Sequence, residues 1–404
     1  MTDLEMLVNR GVDTIYPSKP ELEKVLKSGK KLKLYQGFDP TGTQLHIGHM
    51  IGFRKLRQWQ DLGHHVIFLI GDGTGQAGDP SGKLKGREKF FDRDELRRNA
   101  KEYVMQASKI MRFDGDNPVE ILYNGDWLND LKLVDVLNIA GHFTLQQLSE
   151  RDMFSERLKK GEPVNMREFL YPLLQGYDSV AMNVDLELGG SDQMFNMMCG
   201  RDLVKGYLSK EKFVMTVPLL TDSQGKKIGK SEGNVVGLTD APEELFGKIM
   251  SLGDDIILKS FELLTDTPME EITQIAKDLE KGANPIDYKK KLAFEIVKQL
   301  NSHEQANYAQ KHFESTVQND ELPADIPEWT IDPGLYEITD LLLDTGLVTS
   351  KSEARRLVTQ GGVTIMHEKE EKRIDDIHTL VEVKSGLIIK VGKRRYLQLK
   401  LENK

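Results

Sequence analysis

One cysteine, Cys199, occurs in 404 residues. A single thiol builds neither a disulfide framework nor a Cys-x-x-Cys zinc pair, and a chain of this length buries enough core to fold without them. Long hydrophobic runs are also missing, and no stretch approaches the ~20 apolar residues of a membrane-spanning helix. The opening MTDLEMLVNRGVDTIYP is mixed in charge and lacks the apolar core of a secretory signal. These absences predict a cytoplasmic protein in a reducing compartment. Basic charge is short as well: the net charge is −9, against the basic surface that nucleic-acid phosphates attract. The deficit is uneven, because residues 351–404 carry 13 Lys/Arg against 8 Asp/Glu, leaving −14 in the preceding 350. The tail is basic and the body acidic.

What is present in the first half is alternation of type. KLKLYQGF reads as a strand, IGHMIGFRKLRQWQDLG as an amphipathic helix, and HVIFLIGDG as a buried strand ending in glycine; the helical DELRRNAKEYVMQASKIM and the strand VEILYN follow. Strand, helix, strand is the order of an α/β fold with a parallel sheet, whose ligands bind at the carboxyl ends of strands. The helical periodicity of EELFGKIMSL, EEITQIAKDLEKG and PIDYKKKLAFEIVKQL predicts an α-helical domain, and the Pro- and Asp-rich ESTVQNDELPADIPEWTIDPG a linker. Two short helices and alternating segments after it predict a small α+β module. The expected boundaries are 1–232, 233–318, 319–335 for the linker and 336–404.

Several clusters carry candidate chemistry. Gly73, Gly75 and Gly78 match G-x-G-x-x-G after a strand, which suggests a dinucleotide site, but Asp79-Pro80-Ser81-Gly82 reads as a turn where a helix is required. A P-loop is excluded because Leu84 follows Gly82-Lys83 and Ala77 stands at the first glycine position. What remains is an amide-rich loop with Asp79 inside it and Lys83 and Arg87 just beyond. His46 and His49 share one face of a helix's first turn, where free amides and the positive dipole end suit phosphate oxygens. No further ligand is spaced to complete a zinc site with them. Gly48 between them leaves room for a flat ring to approach the backbone. LLTDSQGKKIGKSEGN is a Gly/Lys loop able to close on a polyphosphate. In REFLYPLLQGYDSV, Tyr171, Gln175 and Asp178 recur at i, i+4, i+7 on one helical face, and GGSDQ follows at Gly189 to Gln193. Each cluster taken singly is also compatible with a solvated turn or a helix's exposed side.

Together they resemble one family. HIGH at His46-Ile47-Gly48-His49, GGSDQ, and Lys227-Ile228-Gly229-Lys230-Ser231 in the place of KMSKS occur in the order of the bacterial-type tyrosyl-tRNA synthetases, with landmarks over essentially the whole chain. The resemblance implies a Rossmann-like class I catalytic domain. It implies that Tyr35 and Asp178 hydrogen-bond the phenol of tyrosine, with Gly37 and Gln193 in the same pocket, and that Asp79, Tyr171 and Gln175 hold the ammonium group. Asp192 and Gly190 would meet the ribose of ATP, with Asp39 nearby. His46, Gly48 and His49 would lie at the phosphates, and Lys83, Arg87, Lys227, Lys230 and Ser231 at the departing pyrophosphate. Three departures stand out: KIGKS lacks the Met and first Ser of the consensus, Glu187 replaces a glutamine, and Gly52 lacks a side chain that some relatives aim at the ribose.

The implied reaction is attack of the tyrosine carboxylate on ATP, giving tyrosyl-adenylate and pyrophosphate, and then transfer to tRNA(Tyr). Magnesium is expected with ATP, and no protein-held metal. Residues from about 336 resemble a small RNA-binding module shared with a ribosomal protein, in which Lys351, Arg355 and Arg356 of SKSEARRLVTQGGVTI would contact phosphates. A homodimer is implied by the resemblance alone. Two other readings are a tryptophanyl-tRNA synthetase, which shares fold and signatures, and a dinucleotide-dependent oxidoreductase using Gly73 to Gly78.

Overall fold

A computed structural model describes residues 2–81, 90–149, 152–225, 227–228, 235–318, 326–367, 370–392 and 395–401. Six strands form the first sheet: β1 (Thr14–Tyr16), β2 (Lys33–Phe38), β3 (His65–Ile70), β4 (Glu120–Tyr123), β5 (Leu186–Gly190) and β6 (Phe213–Val217). Their spatial order is β1-β6-β5-β2-β3-β4. All neighbours are parallel except β1 against β6. The sequence dictates this burial, since Val66 to Ile70 of β3 are each at most 1% exposed, as expected of a strand covered on both faces. From β2 the chain runs outward through β3 and β4, then returns to the other side of β2 for β5 and β6. Connections therefore diverge between β2 and β5, which opens a crevice at the carboxyl ends of those strands.

Helices line that crevice. Ile47–Asp61 joins β2 to β3, Met166–Ala181 precedes β5, and Met194–Leu208 joins β5 to β6. The last two cross at glycines: a Cβ on Gly176 would lie 3.0 Å from the Gly200 amide nitrogen and 2.9 Å from Leu203 Cδ1. Backbone-to-backbone contact there fixes how far Gln175 and Asp178 stand from the residues of the second helix. Inside the glycine cluster a four-residue helix, Thr74–Ala77, precedes the expected turn and ends at Gly78 with φ +87.

Compactness divides the chain differently from the expected boundaries. One unit comprises Met1–Ala241 and Lys248–His303, the other Pro242–Gly247 and Glu304–Lys404. The helices Ile257–Leu264, Met269–Glu280 and Pro285–Leu300 thus belong with the sheet. Arginines tie them there. Arg54, on the Ile47–Asp61 helix, donates to the Thr265 carbonyl and to Asp266, each at 2.6 Å. Arg10 donates to the carbonyls of Phe261, Thr265 and Thr267. These polar ties between residues far apart in sequence leave no trace in periodicity.

In the second unit the strands are β7 (Glu328–Ile331), β8 (Leu335–Glu337), β9 (Val363–His367), β10 (Glu370–Ile374), β11 (Leu380–Glu382), β12 (Ile388–Val391) and β13 (Arg395–Leu401). Five of them form a sheet in the order β10-β9-β12-β13-β7, and β11 pairs with β8. Helices Ile338–Asp344 and Lys351–Thr359 pack Leu341, Leu342, Ala354 and Val358 into a core with Val363 and Ile389. The stretch 319–335 expected as a linker therefore holds β7, which runs parallel to β13. Exposed Glu328, Trp329 and Thr330 gave it no buried alternation to reveal it.

Candidate active site

The start of the Ile47–Asp61 helix is built by its histidines. His46 is the extended N-cap residue, and its Nδ1 accepts from the Gly48 amide at 3.1 Å, while the His46 amide donates to His49 Nδ1 at 3.2 Å. This is a capping box written with two imidazoles. A neutral ring whose Nδ1 accepts must carry its hydrogen on Nε2. Both rings line a cavity of about 700 Å³ at the crevice, so each offers an N–H donor beside a positive helix end. Gly48 has a role beyond the expected one. A Cβ there would meet the His46 ring at 2.9 Å, so the missing side chain makes room for the cap as well as leaving the backbone open at the cavity wall.

The same cavity is lined by Tyr35 on β2 and Asp178 on the Met166–Ala181 helix, each 1% exposed. Asp178 Oδ1 accepts from Trp127 Nε1 at 2.8 Å and Oδ2 from Asn124 Nδ2 at 3.0 Å. Burial pushes the Asp178 carboxyl well above the usual carboxylate range, and those two donors oppose the rise. The Tyr35 hydroxyl lies 2.9 Å from Ser179 Oγ. Burial, with Glu187 and Asp178 nearby, holds its phenol well above the ordinary value, so it stays a hydrogen-bond donor.

The acidic substitution at Glu187 has its partner inside the protein: Lys212, wholly buried, forms an ion pair with Glu187 Oε2. Gln175 Nε2 donates to Glu187 Oε1 at 3.0 Å, and Gln175 Oε1 accepts from Asn196 Nδ2 at 2.9 Å. The same Asn196 amide reaches Gln193 Oε1 at 3.0 Å, and Gln193 Nε2 donates to Asp79 Oδ2 at 3.1 Å. Glu187 thus fixes the Gln175 amide with its oxygen directed away from the carboxylate. Tyr171 donates to Asp39 Oδ2 at 2.9 Å, and Thr74 Oγ1 donates to Asp39 Oδ1 at 2.7 Å.

The structure brings together around one cavity Tyr35, Gly37, Asp39, His46, Gly48, His49, Asp79, Tyr171, Gln175, Asp178, Gly190, Asp192, Gln193 and Lys227. Lys227 Nζ lies 2.7 Å from Asp192 Oδ2. Lys83, Arg87, Lys230 and Ser231 lie outside the described residues. Lys351, Arg355 and Arg356 belong to the second unit, on the exposed side of the Lys351–Thr359 helix. Lys351 is paired with Asp340.

Reading the sequence missed Asn124, which lines the cavity and donates to Asp178, and Trp127, Ser179, Asn196 and Lys212, which touch cavity-lining side chains without lining the cavity themselves. Only Asn124 had a signal, as the first residue after a strand. It also missed Gln36, whose Oε1 occupies the space left by Gly52, within 2.4 Å of where a Cβ would stand.

A cavity at the divergence of a parallel sheet, with HIGH at a helix start and Lys227 on its wall, is the architecture of a class I aminoacyl-tRNA synthetase. Residues 27–318 match the family model described as tRNA synthetases class I (W and Y), and residues 318–399 that of the tyrosine–tRNA ligase SYY-like C-terminal domain. The tyrosine–tRNA ligase of Carboxydothermus hydrogenoformans is 41% identical over 98% of this chain and 97% of that protein. That of Thermotoga maritima is 41% identical over 97% of this chain and 96% of its own. The solved, C-terminally truncated mitochondrial tyrosyl-tRNA synthetase of Aspergillus nidulans superposes with a TM-score of 0.63 at 26% identity, covering 76% of this chain and 92% of that one. The chain belongs to the tyrosine–tRNA ligase family. It is an aminoacyl-tRNA ligase whose substrates are tyrosine, ATP and tRNA, and the tryptophan and oxidoreductase readings fall away.

Asp178 makes stability depend on pH. Its carboxyl is raised in the folded state, so ionising it disfavours folding. That penalty is absent below the unfolded carboxyl's range and grows as pH climbs towards the raised folded value. The unfolding free energy of Asp178→Asn, measured relative to the parent by urea titration, is expected to shift in the variant's favour as pH rises from about 5 to 8. A difference constant over that range contradicts the raised carboxyl.

Proposed function

We propose that tyrosine lies in the cavity with its phenol between Tyr35 and Asp178 and its ammonium group at Asp79, Tyr171 and Gln175, while ATP takes the end near His46 and His49. Convergence of these groups on one cavity, with hydroxyl-reading residues and two imidazole N–H donors on its walls, carries the reading. Five carboxylates, Asp39, Asp79, Asp178, Glu187 and Asp192, line the same cavity and favour a cationic amine. Phenylalanine would leave Tyr35 and Asp178 without the hydroxyl they address, a mode of rejection for which tyrosine-specific synthetases are themselves the established example.

In the first step a tyrosine carboxylate oxygen bonds to the α-phosphorus and the bond to the bridging oxygen of pyrophosphate breaks. In the second, the terminal tRNA hydroxyl attacks the tyrosyl carbonyl and AMP leaves. Neither nucleophile belongs to the protein, which positions the reactants and stabilises charge on phosphoryl oxygens. Asp192 and Gly190 would take the ribose. Lys227 would then exchange Asp192 for the phosphates, joined by Lys83, Arg87, Lys230 and Ser231 at the departing pyrophosphate. Magnesium enters with the phosphates of ATP, where it offsets their charge; the histidines, as N–H donors, suit phosphate oxygen and not the metal.

Three further readings complete the picture. The Leu133–Ala140 helix exposes Leu133, Val134 and Leu137 by 75%, 56% and 62%, an apolar face of the kind a second copy of the chain would cover. In the basic tail, Arg355 and Arg356 are exposed while Lys351 is held by Asp340, so the two arginines are the phosphate contacts for tRNA. A lone, buried Cys199 suits a reducing, cytoplasmic setting.

Three measurements test these assignments. In ATP–pyrophosphate exchange dependent on tyrosine and magnesium, His49→Ala should lower kcat by about 10²-fold with little change in the KM for tyrosine. A KM effect with kcat preserved would move His49 to the amino-acid end. Sedimentation should find a dimer, and Leu137→Glu should shift it towards monomer; an unchanged mass removes the Leu133–Ala140 face as the interface. Replacing Arg355 and Arg356 together by Ala should weaken tRNA binding and flatten its salt dependence by roughly two ion equivalents while exchange is retained. Unaltered tRNA affinity refutes the tail assignment.

A further inference from the structure

Behind the phenol end of the cavity lies a buried charged group that the reaction as described does not use. Lys212 immediately precedes β6, is 0% exposed, and does not line the cavity; Ser179 is likewise 0% exposed and does not line it. Lys212 reaches inward through the space left by Gly200, where a Cβ would stand 2.5 Å from its Nζ. There it donates to Ser179 Oγ at 2.8 Å and pairs with Glu187 Oε2. Ser179 in turn lies 2.9 Å from the Tyr35 hydroxyl. A buried lysine needs such a counter-charge, but Glu187 alone would satisfy that need. The contact with Ser179 is additional, and it joins the ammonium to the residue that faces the substrate.

The donor and acceptor inventory gives this chain a direction. A lysine ammonium only donates, so the Lys212–Ser179 bond has a fixed sense. Ser179 has one hydrogen and two claimants for it, the Tyr35 oxygen at 2.9 Å and Glu187 Oε2 at 3.4 Å. Distance favours Tyr35. With its oxygen accepting from Ser179, the Tyr35 hydrogen has two acceptors to choose between, the Glu187 carboxylate close behind it and a phenol oxygen placed in the cavity. At the far side, both oxygens of Asp178 already accept from N–H groups of Trp127 and Asn124, bonds that favour the ionised form against the burial that opposes it, and in that form Asp178 is the accepting end. The opposite sense would need a protonated Asp178 and would finish on the 3.4 Å contact.

We propose that Lys212 and Ser179 are positioning residues that set the polarity of phenol recognition: Lys212 donates to Ser179, Ser179 to Tyr35, and Tyr35 to the substrate phenol oxygen, whose hydrogen goes to Asp178. The proposal rests on the reading that Tyr35 and Asp178 hold the phenol. A cation at one end and a carboxylate at the other orient every hydroxyl between them, so the bonds reinforce one another. A phenylalanine side chain has no oxygen to insert in the series and gains nothing from it.

The test compares tyrosine and phenylalanine as substrates of ATP–pyrophosphate exchange in the full chain. Two changes interrupt the relay by different means: Ser179→Ala, and the double change Lys212→Met with Glu187→Gln, which removes both charges together. Ser179→Ala should lower kcat/KM for tyrosine by about 5- to 30-fold, the effect of one or two hydrogen bonds, and leave kcat/KM for phenylalanine unchanged; the double change also frees Gln175 from Glu187 and should depress both substrates, tyrosine by the larger factor, so that the tyrosine-to-phenylalanine ratio narrows. A merely structural role would depress both substrates alike, and that result, or no change with tyrosine, overturns the relay. Should the double variant fail to fold, Ser179→Ala decides alone. Tyr35→Phe separates the relay from the reading beneath it. If it leaves the tyrosine-to-phenylalanine ratio intact, the phenol assignment itself fails; if it narrows the ratio while the relay variants do not, only the relay fails.

Discussion

A carboxylate taken out of water has to be surrounded by donors, and the site is organised by that requirement at Asp178. Its two oxygens draw in Trp127 and Asn124. Asn124 is held in turn by the Gly73 amide at 2.8 Å and donates to Thr74 Oγ1. Thr74 donates to Asp39, which also receives the Tyr171 hydroxyl. One buried charge thus ties the ends of β2, β3 and β4 to the Met166–Ala181 helix through side chains that are nearly all satisfied. Such a network is rigid because a half-made version is less stable than none.

Rigidity is what this chemistry asks for. The nucleophiles come from tyrosine and tRNA, so the enzyme gains rate by alignment and by fixed dipoles. The parallel sheet supplies the frame: strand ends set Asp39, Asn124 and Gly190 on one edge, Tyr35 stands deeper within β2, and glycine contact between two helices sets the depth of Gln175 and Asp178. The Lys227–Asp192 pair differs in kind. It is partly exposed and screened, so it can exchange partners, whereas the deep pairs cannot.

The sequence disclosed the parts of this design that periodicity and chain order encode. Alternation of strand and helix announced the parallel sheet, and the spacing of Tyr171, Gln175 and Asp178 put them on one face. HIGH, GGSDQ and KIGKS in order disclosed the family. Groups that act at a distance in the chain stayed hidden. A lysine before a strand, as Lys212 is, reads as a solvated terminus until Gly200 is seen to open a path for it. Likewise β7 is short and exposed, and its pairing with β13 depends on residues some seventy positions away. Glu187 was visible as a departure from relatives, but its meaning depended on the lysine that accompanies it.

The histidine capping box makes the HIGH signature a folding instruction as well as a chemical one. Each ring spends its Nδ1 on the backbone and belongs to a residue that lines the cavity, so a chain that lost either ring would weaken the first turn of the helix, by about 0.5–2 kcal/mol for a cap, as well as losing the donor proposed for phosphate. Inheritance of the motif is therefore doubly constrained. Asparagine, a short planar head with one acceptor and one donor, is the side chain that keeps both halves, which sets the direction in which this signature can drift.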